Sequence, residues 1–516
     1  MDKNYTHDIA KSTFWTTGSF IITSIIGFVS SIILVRYLGI DQFGVFNYFI
    51  WVIATFSLLA NPGLGQAILK YIPQYYFSLN PNQKVLWKKM FNYFLVVQII
   101  ILIVILALLF INSGLATKYL IKFQSQEQDK LFLYALIALI PIILNNFLLS
   151  VLRAIQKFKI LAIFKIITQI IWLGGIFYIF KTHASLFTLI IFYIFFNLFS
   201  LITSVWCLRS IYRLNIPPPQ NIETLPWKNI IRYSAWGFIN LFFVSIVWDK
   251  SELFFLGIYS NNQQIAIYSL AYSLALYITL IFSPLITVIN NTTAELIGTK
   301  QQDKLHFLSQ HLTKYLGIIV IPISILFIMY INKIILLFYG QDFISAGIIF
   351  PLVIFSQIVP LIFNPVSTIP SLSNDIRKIV YIGFAAALLN ITLDLLLIPP
   401  FQALGATIAN SFAQLLGMIL AFVLIRKYKL KFFTKYFIHV LVINLLFFLT
   451  LVIIRLLFHQ LILQIVFDLS TVCLYVIFIL RYALNRRDYD IFLNLQQITP
   501  KYLKPIIQTF LNKMNY

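Results

Sequence analysis

The sequence predicts an all-α polytopic membrane protein of about fourteen transmembrane helices. The expected arrangement is two six-helix lobes related by a parallel pseudo-two-fold repeat, followed by two extra C-terminal helices. Three observations predict it. Hydrophobic residues make up 60% of the chain and charged residues only 10%, a composition unlike that of a soluble globular protein. Apolar stretches long enough to cross hydrocarbon recur from Thr13 to Arg481 with short polar gaps between them. The gaps also alternate in charge. With Met1 in the cytoplasm, 29 Lys and Arg residues fall at inward ends or in the tail and 7 in outward gaps, the positive-inside pattern.

In order, the apolar segments lie at 12–35, 43–61, 90–112, 131–151, 160–180, 184–208, 231–257, 265–290, 313–331, 345–365, 378–398, 403–424, 436–457 and 461–483. The first is too long for a signal-peptide core and no small-residue cleavage site follows it, so it is expected to remain as a span. The second closes at Pro62, and its inward flank carries Lys70, Lys84, Lys88 and Lys89. The third and fourth enclose an outward gap with Lys118, Lys122 and Lys130, and the inward Arg153, Lys157 and Lys159 precede the fifth. The fifth and sixth meet at the outward Lys181, and Lys228 and Arg232 mark the inward start of the seventh. Lys300, Lys304 and Lys314 precede or open the ninth, Arg377 and Lys378 the eleventh, and Lys435 the thirteenth. The domains are therefore 1–215, an N-terminal lobe of spans one to six; 216–430, a C-terminal lobe of spans seven to twelve; 431–483, two additional spans; and 484–516, a basic cytoplasmic tail.

An internal repeat supports the two lobes. Leu38-Gly39-Ile40 followed by Phe43-Gly44-Val45 matches Leu256-Gly257-Ile258 followed by Ile265-Ala266-Ile267, and Pro62 matches Pro284. A unit of six spans is even, so both halves enter the membrane from the same side. The segments 65–79 and 294–308, after the matched prolines, read as interfacial helices.

The net charge of +22 is accounted for by inward loops facing anionic lipid, so no nucleic-acid partner is implied. Cys207 and Cys473 are isolated, and zinc, haem and phosphate-loop motifs are absent. Asp488-Tyr489-Asp490 has the spacing of a metal-binding pair, but its place beside Arg486 and Arg487 reads as a solvated tail. Outward gaps are too short to build a polymerase or ligase site. Transport remains, with no enzyme activity and no cofactor beyond a coupling sodium ion or proton.

Ionisable residues inside spans are functional candidates because burying them is expensive. Lys165, Gln169 and Trp172 form one stripe suited to a sugar-phosphate, or Lys165 extends to the interface. Ser245, Asp249 and Glu252 share a face with Lys250 rotated away, either toward a cavity or as an ion-pair cluster. Asn390 and Asp394 lie one turn apart on span eleven, and Thr407, Asn410 and Gln414 follow on span twelve. That oxygen-rich set suits a hard monovalent cation or a proton, with interhelical hydrogen bonding as the other reading. Arg36 either receives a phosphate in a bidentate fork or anchors span one at the interface. Lys70, Arg153, Lys250 and Glu252 complete the candidates for binding cargo, Lys70 also reading as an ordinary inward charge.

Several blocks resemble the polysaccharide flippases of the multidrug/oligosaccharidyl-lipid/polysaccharide exporter superfamily. They are Arg36-Tyr37-Leu38-Gly39 with Phe43-Gly44, Asn61-Pro62-Gly63-Leu64-Gly65, Gly257 with Ile267-Tyr268-Ser269-Leu270-Ala271, Ile334–Gly340 with Phe343 and Ala346, and Asn390–Ala409. Asn61 stands where that family usually has Asp, and Gln402 where a glycine usually follows the Ile-Pro turn. The resemblance implies a monomeric protein of the bacterial cytoplasmic membrane with both termini inside. It would flip a polyprenyl-diphosphate-linked, anionic oligosaccharide for cell-surface polysaccharide assembly, in contact with membrane lipids and a polysaccharide polymerase. The alternatives are a peptidoglycan-precursor flippase or a cation-coupled multidrug exporter of the same superfamily. By resemblance to the peptidoglycan-precursor branch, Asp249, Asn390 and Asp394, with Thr407 or Asn410, would hold a sodium ion.

Overall fold

The computed structural model describes residues 3–78, 81–111, 128–212, 225–248, 251–372, 376–428, 434–458, 460–484 and 488, and these are helical with short connections and no strand. The helices are α1 (Lys3–Leu59), α2 (Leu64–Tyr76), α3 (Pro81–Ile111), α4 (Gln128–Ala154), α5 (Phe158–Thr182), α6 (Leu186–Tyr212), α7 (Trp227–Trp248), α8 (Glu252–Tyr259) and α9 (Asn262–Ile281). They continue as α10 (Ser283–Gly298), α11 (Gln302–Phe338), α12 (Ala346–Ile362), the single turns α13 (Asn364–Ser367) and α14 (Ile369–Leu372), then α15 (Ile376–Ile425), α16 (Lys435–Leu457) and α17 (Leu461–Phe478).

Among the described residues, 11 helices are long and apolar enough to cross a membrane, where the sequence suggests fourteen segments. The difference has a local cause. Two of these helices carry a residue outside helical geometry, α1 at Gly39 (φ 67°, ψ 179°) and α15 at Gln402 (φ 51°, ψ −126°), and each is thereby divided into two arms. The segment expected at 345–365 is α12, whose 17 residues are fewer than a straight crossing needs.

Gly39 tolerates its positive φ because it has no Cβ. Gln402 holds a comparable conformation with a full side chain, at the position where the resemblance noted a missing glycine. Such strain costs on the order of 1–3 kcal/mol. Gln402→Gly is therefore expected to raise thermal stability by about 1 kcal/mol, and an unchanged or lowered midpoint in a detergent melting curve would refute the strain.

The matched glycines of the repeat serve different ends. Gly39 makes a turn, whereas Gly257 lies inside α8, where an added Cβ would sit 2.5 Å from the Tyr48 ring. The first of the two segments after the matched prolines forms α2, which buries Leu64, Ala67, Ile68, Tyr71 and Ile72 and leaves Leu69 and Lys70 exposed. The second is corrected: α10 ends at Gly298, Lys300 takes φ 56°, and α11 starts at Gln302, so 294–308 is not one helix.

The chain divides into two compact units. The first comprises Met1–Pro284, Ile334–Val353 and Arg377–Gly417. There α1 packs along α5 and α9, and α4 along α6. A core of Ile68, Ile72, Trp87, Met90, Phe147, Leu152 and their neighbours fills the space between α2, α3 and α4. Asn145 on α4 donates to the Ser200 hydroxyl at 3.0 Å and accepts from Ser204 at 2.6 Å, tying α4 to α6 through satisfied buried polar groups.

The second unit comprises Leu285–Lys333, Ile354–Ile376 and Met418–Tyr516. Its core joins α11, α16 and α17 through Ile325, Val440, Phe447, Leu451 and Tyr475, and the Tyr475 hydroxyl donates to the Ile318 carbonyl at 2.8 Å. The solvated-tail reading of Asp488 is overturned here. Asp488 is fully buried, accepts from Lys314 Nζ at 2.7 and 2.5 Å and accepts from the Tyr315 hydroxyl at 2.6 Å. The reason lies in Lys314, which is itself only 3% exposed, since a buried ammonium requires an anion. Asp490 lies outside the described residues.

Candidate functional site

The polar centre of the first unit is built on Glu252, the first residue of α8. Its side chain is 0% exposed, so each carboxylate oxygen must be satisfied by protein groups. Tyr268, two turns into α9, donates its hydroxyl to Oε2 at 2.8 Å. Asn410, on the second arm of α15, donates Nδ2 to Oε1 at 2.7 Å and to the Val247 carbonyl at 2.8 Å. Asn390, on the first arm of α15, donates Nδ2 to Glu252 Oε1 at 3.1 Å and to Asp394 Oδ2 at 2.9 Å. One amide therefore bridges two carboxylates drawn from different helices. Gln414 Nε2 closes the ring by donating to Asn410 Oδ1 at 2.7 Å.

The local sequence explains the convergence. Asn390 and Asp394 are one helical turn apart, as are Asn410 and Gln414, so each pair presents one face. The kink at Gln402 separates the two arms that carry these pairs, and α8 and α9 supply Glu252 and Tyr268 on either side of the turn at Ser260 and Asn261.

The cluster is rich in acceptors. Asn390 Oδ1, Asp394 Oδ1 and Gln414 Oε1 are buried and have no hydrogen-bond partner. Two carboxylates held by a common amide would repel by roughly 3 kcal/mol at an effective dielectric of about 20. A proton or a hard monovalent cation relieves that repulsion, and oxygen donors of carboxylate and amide type fit either. A soft transition-metal site does not fit, because no three His, Cys, Asp or Glu side chains gather among the described residues.

The other sequence-derived candidates fall in distinct places. Asp249 and Lys250 lie outside the described residues. Glu252, assigned from the sequence to cargo, stands instead with Asn390, Asp394 and Asn410. Ser245 is half-buried and donates to the Phe242 carbonyl, so it does not share the fully buried environment of Glu252. Thr407 is buried but donates to the Ala403 carbonyl one turn back at 2.8 Å. Gln414 stands in the oxygen-rich set that the sequence offers, whereas Tyr268 is not assigned to the site by the sequence. Tyr268 lies 16 residues beyond Glu252, past a turn that no periodicity spans.

Arg36 is exposed and donates Nε to the Phe338 carbonyl at 2.7 Å and Nη2 to the Leu337 carbonyl, satisfying orphan acceptors at the end of α11. Lys70 on α2 places its ammonium 3.9 Å from the Tyr233 ring centroid on α7. Arg153 at the end of α4 and Lys165 on α5 are exposed and near enough to repel. Neither has an acidic partner among the described residues. Gln169, one turn beyond Lys165, faces Gly27 of α1, and the Tyr277 hydroxyl of α9 lies on the same glycine; an added Cβ there would meet them at 3.6 and 3.8 Å. Trp172 turns away to stack on Phe192 at 5.5 Å.

Known structures share this fold. The lipid II flippase MurJ in an inward closed conformation is similar over 91% of this chain and 98% of its own, with a TM-score of 0.70 and 16% identity. A multidrug resistance MATE family transporter of the MOP superfamily, inward-facing, is similar over 79% and 95%, with a TM-score of 0.58 and 15% identity. A MOP superfamily transporter from Pyrococcus furiosus gives 0.52 and 14% over 81% and 96%. Comparison with curated proteins gives no match. The model of the family described as polysaccharide biosynthesis protein matches residues 9–290, more than half of the sequence. The chain therefore belongs to the polysaccharide biosynthesis protein family.

Proposed function

We propose that the protein flips a polyprenyl-diphosphate-linked oligosaccharide across the cytoplasmic membrane by ion-coupled alternating access, without covalent chemistry. The observation that carries the reading is the Arg153 and Lys165 pair: two neighbouring cations on apolar helices with no acidic partner among the described residues. Uncompensated charge at such a place is expensive unless an anion visits it. A diphosphate head matches in sign and needs protein donors, since hydrocarbon offers none. Gln169 and Tyr277 add neutral polar groups beside Lys165 that suit a sugar. A multidrug exporter handling organic cations would find repulsion there. The Glu252 and Asp394 cluster is the coupling element: occupancy by a cation or proton stabilises one arrangement of the helices around it, and the gradient then gives the cycle its direction.

Purified protein in vesicles should speed the movement of a labelled lipid-linked oligosaccharide between leaflets with no change in its mass. Lys165→Gln and Arg153→Gln should each slow that movement about tenfold or more, the equivalent of losing one charge-assisted contact of ~1.5–3 kcal/mol. Normal rates in both variants, or efflux of organic cations with no glycan movement, would refute the assignment.

A further inference from the structure

In the second unit, ionisable groups that transport does not use gather at one end of α11, α16 and α17. Arg455, in the last turn of α16, holds Asp468 of α17 in a fork, Nη1 to Oδ1 at 3.2 Å and Nη2 to Oδ2 at 2.6 Å. Tyr330 of α11 donates its hydroxyl to the same carboxylate at 2.5 Å, and its ring lies 4.7 Å from the Arg455 guanidinium carbon. Lys333, one turn further along α11, is exposed and donates to Gln464 Oε1 at 2.6 Å, a neutral partner in the first turn of α17.

The charge does not balance. Asp468 is paired with Arg455 while Lys333 meets only the neutral Gln464, which leaves one excess positive charge among the described residues. Three further features belong to the same helix ends. Arg455 Nε is buried without an acceptor. The α17 N-terminus carries no side-chain cap, so its free amides add partial positive charge. Around the cluster, Leu456, Leu457, Leu461 and Ile462 are 72%, 67%, 47% and 76% exposed, as lipid-facing side chains are. A cationic cluster held by Gln464 and Asp468 and flanked by exposed apolar helix ends matches an amphiphile with an anionic head.

We propose that Lys333, Arg455 and the α17 N-terminus bind the phosphate of a lipid, with its chains lying along the exposed leucines. The site shares no residue with the Glu252 cluster or with the Arg153 and Lys165 pair and does not depend on the transport reading. Native mass spectrometry of the full-length protein, purified and exchanged into detergent with defined lipids, tests it. Phosphatidylglycerol should be retained by the wild type and by Lys181→Gln, a control lysine at the end of α5. Retention by Lys333→Gln should fall about fivefold, the equivalent of ~1 kcal/mol for one lysine at an anionic surface. Asp468→Asn, which frees Arg455, should raise it, an effect opposite to that of simple destabilisation. Zwitterionic phosphatidylcholine should respond to neither change. A parallel arm with undecaprenyl phosphate distinguishes the source of the phosphate: selective loss of that lipid in Lys333→Gln would support the site and assign it to an isoprenoid carrier. Equal retention of both anionic lipids by wild type and Lys333→Gln would overturn the proposal.

Discussion

Replacing Asp488 with Asn is expected to destabilise the protein by about 3–5 kcal/mol, because it leaves Lys314 buried with no counter-charge. The pair is dry: Asp488 is fully buried and Lys314 is 3% exposed, with the ammonium on both carboxylate oxygens. Tyr315 adds a third hydrogen bond, and the His311 imidazole lies 3.8 Å away. The ammonium also lies 5.6 Å from the Tyr436 ring of α16, so losing the anion disturbs the junction of α11 and α16. Truncation before residue 488 should have the same effect as the point change, which a melting curve or gel filtration in detergent reads directly. The double replacement Lys314→Met with Asp488→Leu should recover most of the loss, since a matched apolar pair often replaces a buried ion pair at little cost. Wild-type stability in Asp488→Asn would show that the pair contributes nothing.

A second large effect is expected at the carboxylate cluster. If a cation bridges Glu252 and Asp394, it stabilises the folded protein by mass action, about 2.7 kcal/mol at a hundred times its dissociation constant. Melting of the wild type should then rise with added sodium chloride relative to choline chloride, or with falling pH if a proton fills that place. Glu252→Gln and Asp394→Asn remove the repulsion that the ligand relieves, so each should flatten the response while keeping the fold. Retention of the full ion and pH response in both variants would separate the cluster from ion binding.

Much of the fold and part of the site are legible in the sequence, and the failures have physical causes. Long apolar runs give helices directly, and spacing by one turn places Asn390 with Asp394 and Asn410 with Gln414. The breaks at Gly39 and Gln402 fall in the gaps that the apolar pattern leaves between 35 and 43 and between 398 and 403. The partners of Glu252 are not legible because they come from α9 and from both arms of α15, at 16, 138 and 158 residues' distance. The partner of Asp488 lies 174 residues away. No local pattern can report a contact of that kind, and a carboxylate flanked by arginines reads as solvated until the buried lysine is seen. Arg36 illustrates the converse: an outward arginine suggests a ligand, but helix-end carbonyls can use the same donors.

The central claim is that Glu252 and Asp394 couple an ion gradient to glycan movement, and one measurement tests it most directly. Vesicles containing wild type, Glu252→Gln or Asp394→Asn are given a labelled lipid-linked oligosaccharide, and transbilayer movement is followed with sodium and proton gradients imposed singly and then collapsed. The account predicts that wild-type movement follows one of the two gradients, while both variants insert normally and move glycan, if at all, at a rate that no gradient changes. Gradient-driven movement at the wild-type rate in both variants would contradict it.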